Sequence, residues 1–133
     1  MVSKPPVHLI TFPEFYEEGR GGLTAIEGNH HFPFEIKRLF YVYDVPRNAV
    51  RAGHAHKTCE QVLIAVSGEL KVDANEEEWS LYKPNEGLYI PPGIKINLRN
   101  FTNRAVLLVL ASEHFSEEDY ENQTRPIHKA QSA

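Results

Sequence analysis

From Val7 to Ala111 the chain is a succession of short β-favouring runs broken by Gly, Pro and Asn turn signals. That punctuation predicts an all-β fold, a barrel or sandwich of many short strands. Val7–Phe12 reads as a strand that Pro13 stops, Glu17–Gly22 as a glycine-rich turn, and Leu23–Glu27 as a half-buried strand by its alternation. Phe34–Tyr43, FEIKRLFYVY, is the longest β-favouring run. Its parity sets Ile36, Arg38, Phe40 and Val42 on one face and Lys37, Leu39, Tyr41 and Tyr43 on the other, and either face can be the inner one. After a turn at Asp44–Ala49, further strands are expected over Glu60–Val66, Glu69–Asp73, Trp79–Tyr82, Leu88–Pro91 and Ile94–Leu98. The turns between them are a hairpin tip at Ala74–Glu76 and Pro91-Pro92-Gly93. Ala105–Ala111 is nearly continuous in apolar residues and reads as a buried strand. Ser116 followed by Asp119 predicts a short C-terminal helix to about Asn122, and Pro126–Ala133 reads as loose.

With 133 residues and 41% hydrophobic content, the chain predicts one domain, 1–133, with a core over about 7–122. The net charge of -4 comes without a basic block or stripe, which argues against nucleic acid as a partner. One cysteine, Cys59, excludes an internal disulfide and fits a reducing compartment. The first twenty residues contain no apolar core of a leader, and no apolar run is long enough to span a bilayer. A soluble, cytoplasmic protein with no membrane partner is expected. His30 and His31 are adjacent on a loop and read as solvated. The acidic run Glu76–Glu78 reads as a solvated hairpin edge.

The chemistry is concentrated in Arg51–Gly68, RAGHAHKTCEQVLIAVSG. In an extended strand His54 and His56 point to one face, where two imidazoles can ligate a metal, move protons near neutral pH or bind a polar ligand. The order HxH, Glu60, Gly68 resembles the first motif of the cupin barrels. Metal-holding cupins use two histidines and a glutamate from this motif, and a third histidine from a second motif. Here the second motif is Gly87, Pro91-Pro92-Gly93, Ile96 and Asn100, with isoleucine at the histidine position. Ile96 has no lone pair to give, so His54, His56 and Glu60 would be at most three ligands. Asn97 and Arg99 have the opposite parity and do not replace it. Without a metal, imidazoles with a pKa of about 6.5 suit proton transfer next to a ketone.

The segments RGGLTAIEG, FPFEIKRLFYVYDV, RAGHAHKTCEQVLIAVSGELKV, EGLYIPPG and VLLVLASEHFSEEDY carry a more specific resemblance. From about Arg20 to Tyr120 the chain is similar to the nucleotide-sugar 3,4-ketoisomerases that act on dTDP-4-keto-6-deoxyglucose. The resemblance implies a cupin-type double-stranded β-helix (jelly-roll) barrel, a homodimer with exchanged N-terminal strands, a dTDP-linked keto sugar as ligand, and catalysis without metal or other cofactor. It places the two family histidines on His54 and His56, the second as principal base, and the family arginine on Arg51. Arg20, Tyr41 and Tyr43 join Arg51 as candidates for substrate binding. A 4-keto to 3-keto shift passes through an enediol and needs only acid–base groups. A related sugar epimerase, a metal-dependent cupin enzyme and a non-catalytic nucleotide-sugar-binding cupin are the alternatives.

Overall fold

The computed structural model describes residues 4–52 and 55–117. Its strands are β1 (His8–Thr11), β2 (Phe15–Glu17), β3 (Gly21–Leu23), β4 (Arg38–Tyr43), β5 (Arg51–Ala52), β6 (Gln61–Ser67), β7 (Leu70–Ala74), β8 (Glu77–Leu81), β9 (Glu86–Ile90), β10 (Ile96–Arg99) and β11 (Val106–Ala111). They form a five-stranded sheet in the order β1-β9-β6-β11-β4, a four-stranded sheet in the order β5-β10-β7-β8, and the separate hairpin β2-β3. Every strand pairing is antiparallel. This is the all-β jelly-roll barrel of the cupins.

The two larger sheets face each other across one apolar interior. Val42, Leu63, Ala65, Leu88, Ile90, Leu107 and Val109 of the first meet Leu70, Val72, Ala74, Leu81, Ile96 and Leu98 of the second. The strict alternation of Leu70, Val72 and Ala74 with Lys71 and Asp73 is what a strand with one buried face requires. Strand β6 differs because both of its faces are covered. Val62 and Ile64 turn outward with Tyr89 and Leu110, and Phe12, Phe32 and Phe34 roof them over, with Ile10, Ile26 and Ile36 at the margin. Double burial explains why the sequence here is an unbroken apolar run.

Turn chemistry fixes the connections. Asn75 and Glu76 both have positive φ, 52° and 63°, as the two central residues of a type I′ hairpin turn must. Gly68, at φ 68°, takes the chain from β6 into β7.

Several boundaries differ from the sequence expectation. Leu23–Glu27 is not a half-buried strand. Leu23 closes the exposed hairpin β2-β3, and residues 24–27 run irregularly into the roof, where tertiary burial of Ile26 outweighs local alternation. The long run Phe34–Tyr43 is strand only from Arg38 onward, because Phe34 and Ile36 belong to the roof rather than to a ladder. Within β4 the inner face is the one carrying Phe40 and Val42, whereas Ile36 falls on the opposite side of the sheet from them. The helix expected from Ser116 falls almost entirely outside the described residues.

Candidate active site

In an antiparallel ladder, directly opposed residues put their side chains on the same face. That rule assigns the residues at one end of the barrel. Gln61 of β6 is opposite Ile90 of β9 and Ala111 of β11, and Ala111 is opposite Arg38 of β4. Ile90 lines the interior, so Gln61 and Arg38 face the interior too. The chain then turns through Pro91–Gly93 and enters β10, whose first residue, Ile96, also faces inward and is 7% exposed. His56 is half-buried against this turn, its carbonyl accepting the Gly93 N–H at 2.8 Å. Arg51 of β5 is opposite Leu98, which lines the interior, so its exposed side chain belongs to the inner face at the barrel's open side. Arg38 and Gln61 therefore share the inner face at this end of the barrel with Ile96, Arg51 lies on the same face of β5, and the His56 backbone is tied to the adjoining turn. His54 lies outside the described residues.

Arg38 is held by aromatic rings. Its guanidinium carbon sits 4.6 Å from the centroid of Phe40 and 5.2 Å from that of Phe115, within cation–π range.

Glu60 takes a different path. One residue before Gln61, it faces the outer side of the sheet, where the buried Tyr89 hydroxyl donates to its Oε1 at 2.6 Å and Lys4 Nζ donates to Oε2 at 3.2 Å. Burial, with the Glu60 carboxylate beside it, pushes the Tyr89 phenol well above its ordinary range, so it remains a proton donor through the neutral pH range. The expectation that Glu60 could join the histidines as a metal ligand fails on parity. The interior neighbour is the neutral amide of Gln61, and the other motif position is the hydrocarbon of Ile96. Among the described residues neither a carboxylate at the Gln61 position nor an imidazole at the Ile96 position reaches the inner face, and this donor set does not fit a divalent metal.

The remaining candidates lie elsewhere. Tyr41 and Tyr43 are each 60% exposed on the outer face of β4, ring centroids 5.8 Å apart, with Leu39 beside them. Arg20 sits at the tip of the β2-β3 hairpin, paired with Glu17 at 3.1 Å. Neither group shares the inner face of its own barrel with Arg38, Arg51 and Gln61. Arg99 binds Asp73 through two nitrogens at 2.7 and 2.8 Å and also contacts Glu78, on the outer face of the four-stranded sheet. Those guanidinium hydrogen bonds hold the Asp73 carboxyl below its usual range. As expected from parity, Arg99 is no substitute for the missing histidine. Gln61 is the inner-face residue that motif reading overlooked. Counting back by twos from Leu63 and Ala65 would have found it.

Comparison with known proteins agrees with this arrangement. The family described as FdtA: WxcM-like, C-terminal matches residues 5–131. The TDP-4-oxo-6-deoxy-alpha-D-glucose-3,4-oxoisomerase of Aneurinibacillus thermoaerophilus is 38% identical over 107 residues, 77% of each chain. A histidine-to-asparagine mutant of the 3,4-ketoisomerase QdtA from Thermoanaerobacterium thermosaccharolyticum, solved with TDP-4-keto-6-deoxyglucose, superposes with a TM-score of 0.82 at 40% identity. The match covers 88% of this chain and 87% of that one. The WlaRB TDP-quinovose 3,4-ketoisomerase of Campylobacter jejuni gives a TM-score of 0.82 at 37% identity, over 88% and 92% of the two chains. With its barrel, its HxH segment and its inner-face arginine all in the matched span, the chain belongs to the FdtA-like family of sugar-nucleotide 3,4-ketoisomerases.

Proposed function

We propose that the protein converts dTDP-4-keto-6-deoxyglucose to a dTDP-3-keto-6-deoxyhexose by proton transfer alone. The observation that carries this reading is the likeness to QdtA along nearly the whole barrel, in a complex holding that same keto sugar nucleotide. His56 takes the proton from C3 as the C4 carbonyl oxygen gains one, which leaves a neutral enediol. The C3 hydroxyl then loses its proton, C4 receives one, and the carbonyl stands at C3. No electrons leave the sugar, so the step needs no oxidant. His54 serves the two oxygens or orients the ring. Arg51, on the inner face, stabilises the negative charge that develops on a sugar oxygen on the way to the enediol, or a phosphate, with a fork of donors. The reaction proceeds without a metal, because Glu60 is directed outward and Ile96 offers no donor.

The test is incubation with the keto sugar nucleotide in deuterated water, with and without a chelator, read by NMR. Deuterium in the sugar ring at equal rates in both arms is expected. Activity lost to the chelator and restored by iron or manganese would replace this reading with a metal cupin. Binding without any ring deuterium would make the protein a non-catalytic sugar-nucleotide binder.

Assembly follows from what the fold leaves uncovered. Phe15, Tyr16 and Leu23 of the β2-β3 hairpin are 67%, 75% and 61% exposed, and Leu39, Tyr41 and Tyr43 form a second apolar strip on edge strand β4. A homodimer with exchanged N-terminal strands covers both. It also carries Arg20 away from its own barrel towards the partner's, where it can reach the nucleotide. Light scattering is expected to give twice the chain mass, and a compact monomer would overturn the exchange. No helix among the described residues is long and apolar enough to cross a membrane. The buried thiol of Cys59, the lone cysteine of the sequence, fits action in the cytoplasm.

A further inference from the structure

Gln61 is the one polar residue besides Glu60 among the described residues that is buried, at 6% exposure. The two neighbours meet opposite fates. Glu60 is bound by Tyr89 and Lys4 on the outer face, while the Gln61 side chain faces the interior among Leu63, Ile90 and Ala111. A carboxamide brings two donors and an acceptor to this face, where an apolar side chain would pack without needing partners. Packing at this position would be served as well by methionine or leucine. The amide is retained at the end of the barrel that holds His56 and Arg51, and the small area it leaves accessible is what a ligand there can touch.

Resting on the ketoisomerase reading above, we infer that Gln61 is a substrate-positioning residue that binds the two sugar oxygens between which the carbonyl moves. The chemistry of an enediol asks for such a group. At each stage one oxygen carries developing negative charge and needs a donor, and its neighbour carries a hydroxyl and needs an acceptor. The Nε2 and Oε1 of one carboxamide offer both side by side. A carboxylate in the same place would repel the developing oxyanion and could only accept. The neutral amide also keeps the interior short of a third metal ligand, so one residue both suits the acid–base route and disfavours a metal.

The test compares Gln61→Met and Gln61→Glu with the wild type, reading kcat and KM for the keto sugar nucleotide, affinity for TDP, and Tm. Gln61→Met removes the polar atoms at nearly constant volume. It is expected to lower kcat about a hundredfold, the scale of losing one donor to a developing oxyanion, while TDP affinity is unchanged and Tm is unchanged or higher. Gln61→Glu, with no donor and an added charge, is expected to fall at least as far in kcat. A purely structural amide gives the reverse pattern, a lower Tm with wild-type kcat in the folded protein, and that result overturns the inference. An active wild type with an equally active Gln61→Met overturns it alone. A wild type without turnover overturns the enzymatic reading and this inference together.

Discussion

His56→Asn is expected to lower turnover of the keto sugar nucleotide by about a hundredfold or more, the usual scale for removing a general base. Affinity for the sugar nucleotide should stay close to that of the wild type. Asn has similar polarity and size but accepts no proton at neutral pH, and the hydrogen bond anchoring this segment runs from the Gly93 N–H to the His56 backbone carbonyl, which the substitution leaves in place. Ring deuteration should fall in step with turnover. A variant that folds, binds and still exchanges the ring proton at the wild-type rate would remove His56 from the carbon proton transfer and leave His54 as the base.

The largest effect on stability is expected at Gly68. Its φ of 68° already disfavours any side chain, and a Cβ built there would lie 2.7 Å from Thr102 Oγ1 and 2.8 Å from the Ala105 Cα. Backbone cannot step aside cheaply. The contact would also push on Thr102, whose Oγ1 accepts the Glu69 N–H at 2.9 Å and whose N–H donates to the Glu69 carbonyl at 3.0 Å. Gly68→Ala should therefore cost about 2–4 kcal/mol in denaturant unfolding, or a Tm lower by about 10 °C. Gly19 is the control. Its φ of 82° is just as unfavourable, but a Cβ there meets nothing within 4 Å, so Gly19→Ala should cost only about 1–2 kcal/mol. Equal losses at the two sites would show that backbone strain, not the approach to Ala105, sets the requirement for glycine at Gly68.

Much of the barrel was legible because its strands obey simple periodicities. Leu70–Ala74 alternates and has one buried face, and Val106–Ala111 is apolar throughout and lies between β6 and β4. Turn residues marked the hairpin tip at Asn75 and Glu76, and motif residues located the HxH segment. Three features escaped for identifiable reasons. On β4 both faces are apolar, so alternation could not say that Phe40 and Val42 turn inward while Tyr41 and Tyr43 turn out. The roof over the five-stranded sheet is irregular backbone, tied by bonds such as Asn29 N–H to the Phe34 carbonyl at 2.8 Å, and it has no period to detect. The pair Glu60-Gln61 sits where a motif fixes residue order but not side, and only the ladder partners Tyr89 and Ile90 decide which of the two enters the barrel.

That double covering of β6 has a consequence for how the chain reaches its native state. Val62 and Ile64 are as deeply buried outside as Leu63 and Ala65 are inside, so hydrophobicity hardly separates the native alignment from one shifted by a single residue. The shifted barrel would pack tolerably and still be the wrong molecule, with a carboxylate swung into the mouth and an amide stranded under the roof. What penalises it is polar and local. The Glu60 N–H donates to Ser112 Oγ at 2.8 Å, the Ser112 N–H returns to the Glu60 carbonyl at 3.0 Å, and the Tyr89 hydroxyl waits on one side only. These few polar bonds, rather than burial, separate the native register of β6 from a well-packed shifted one.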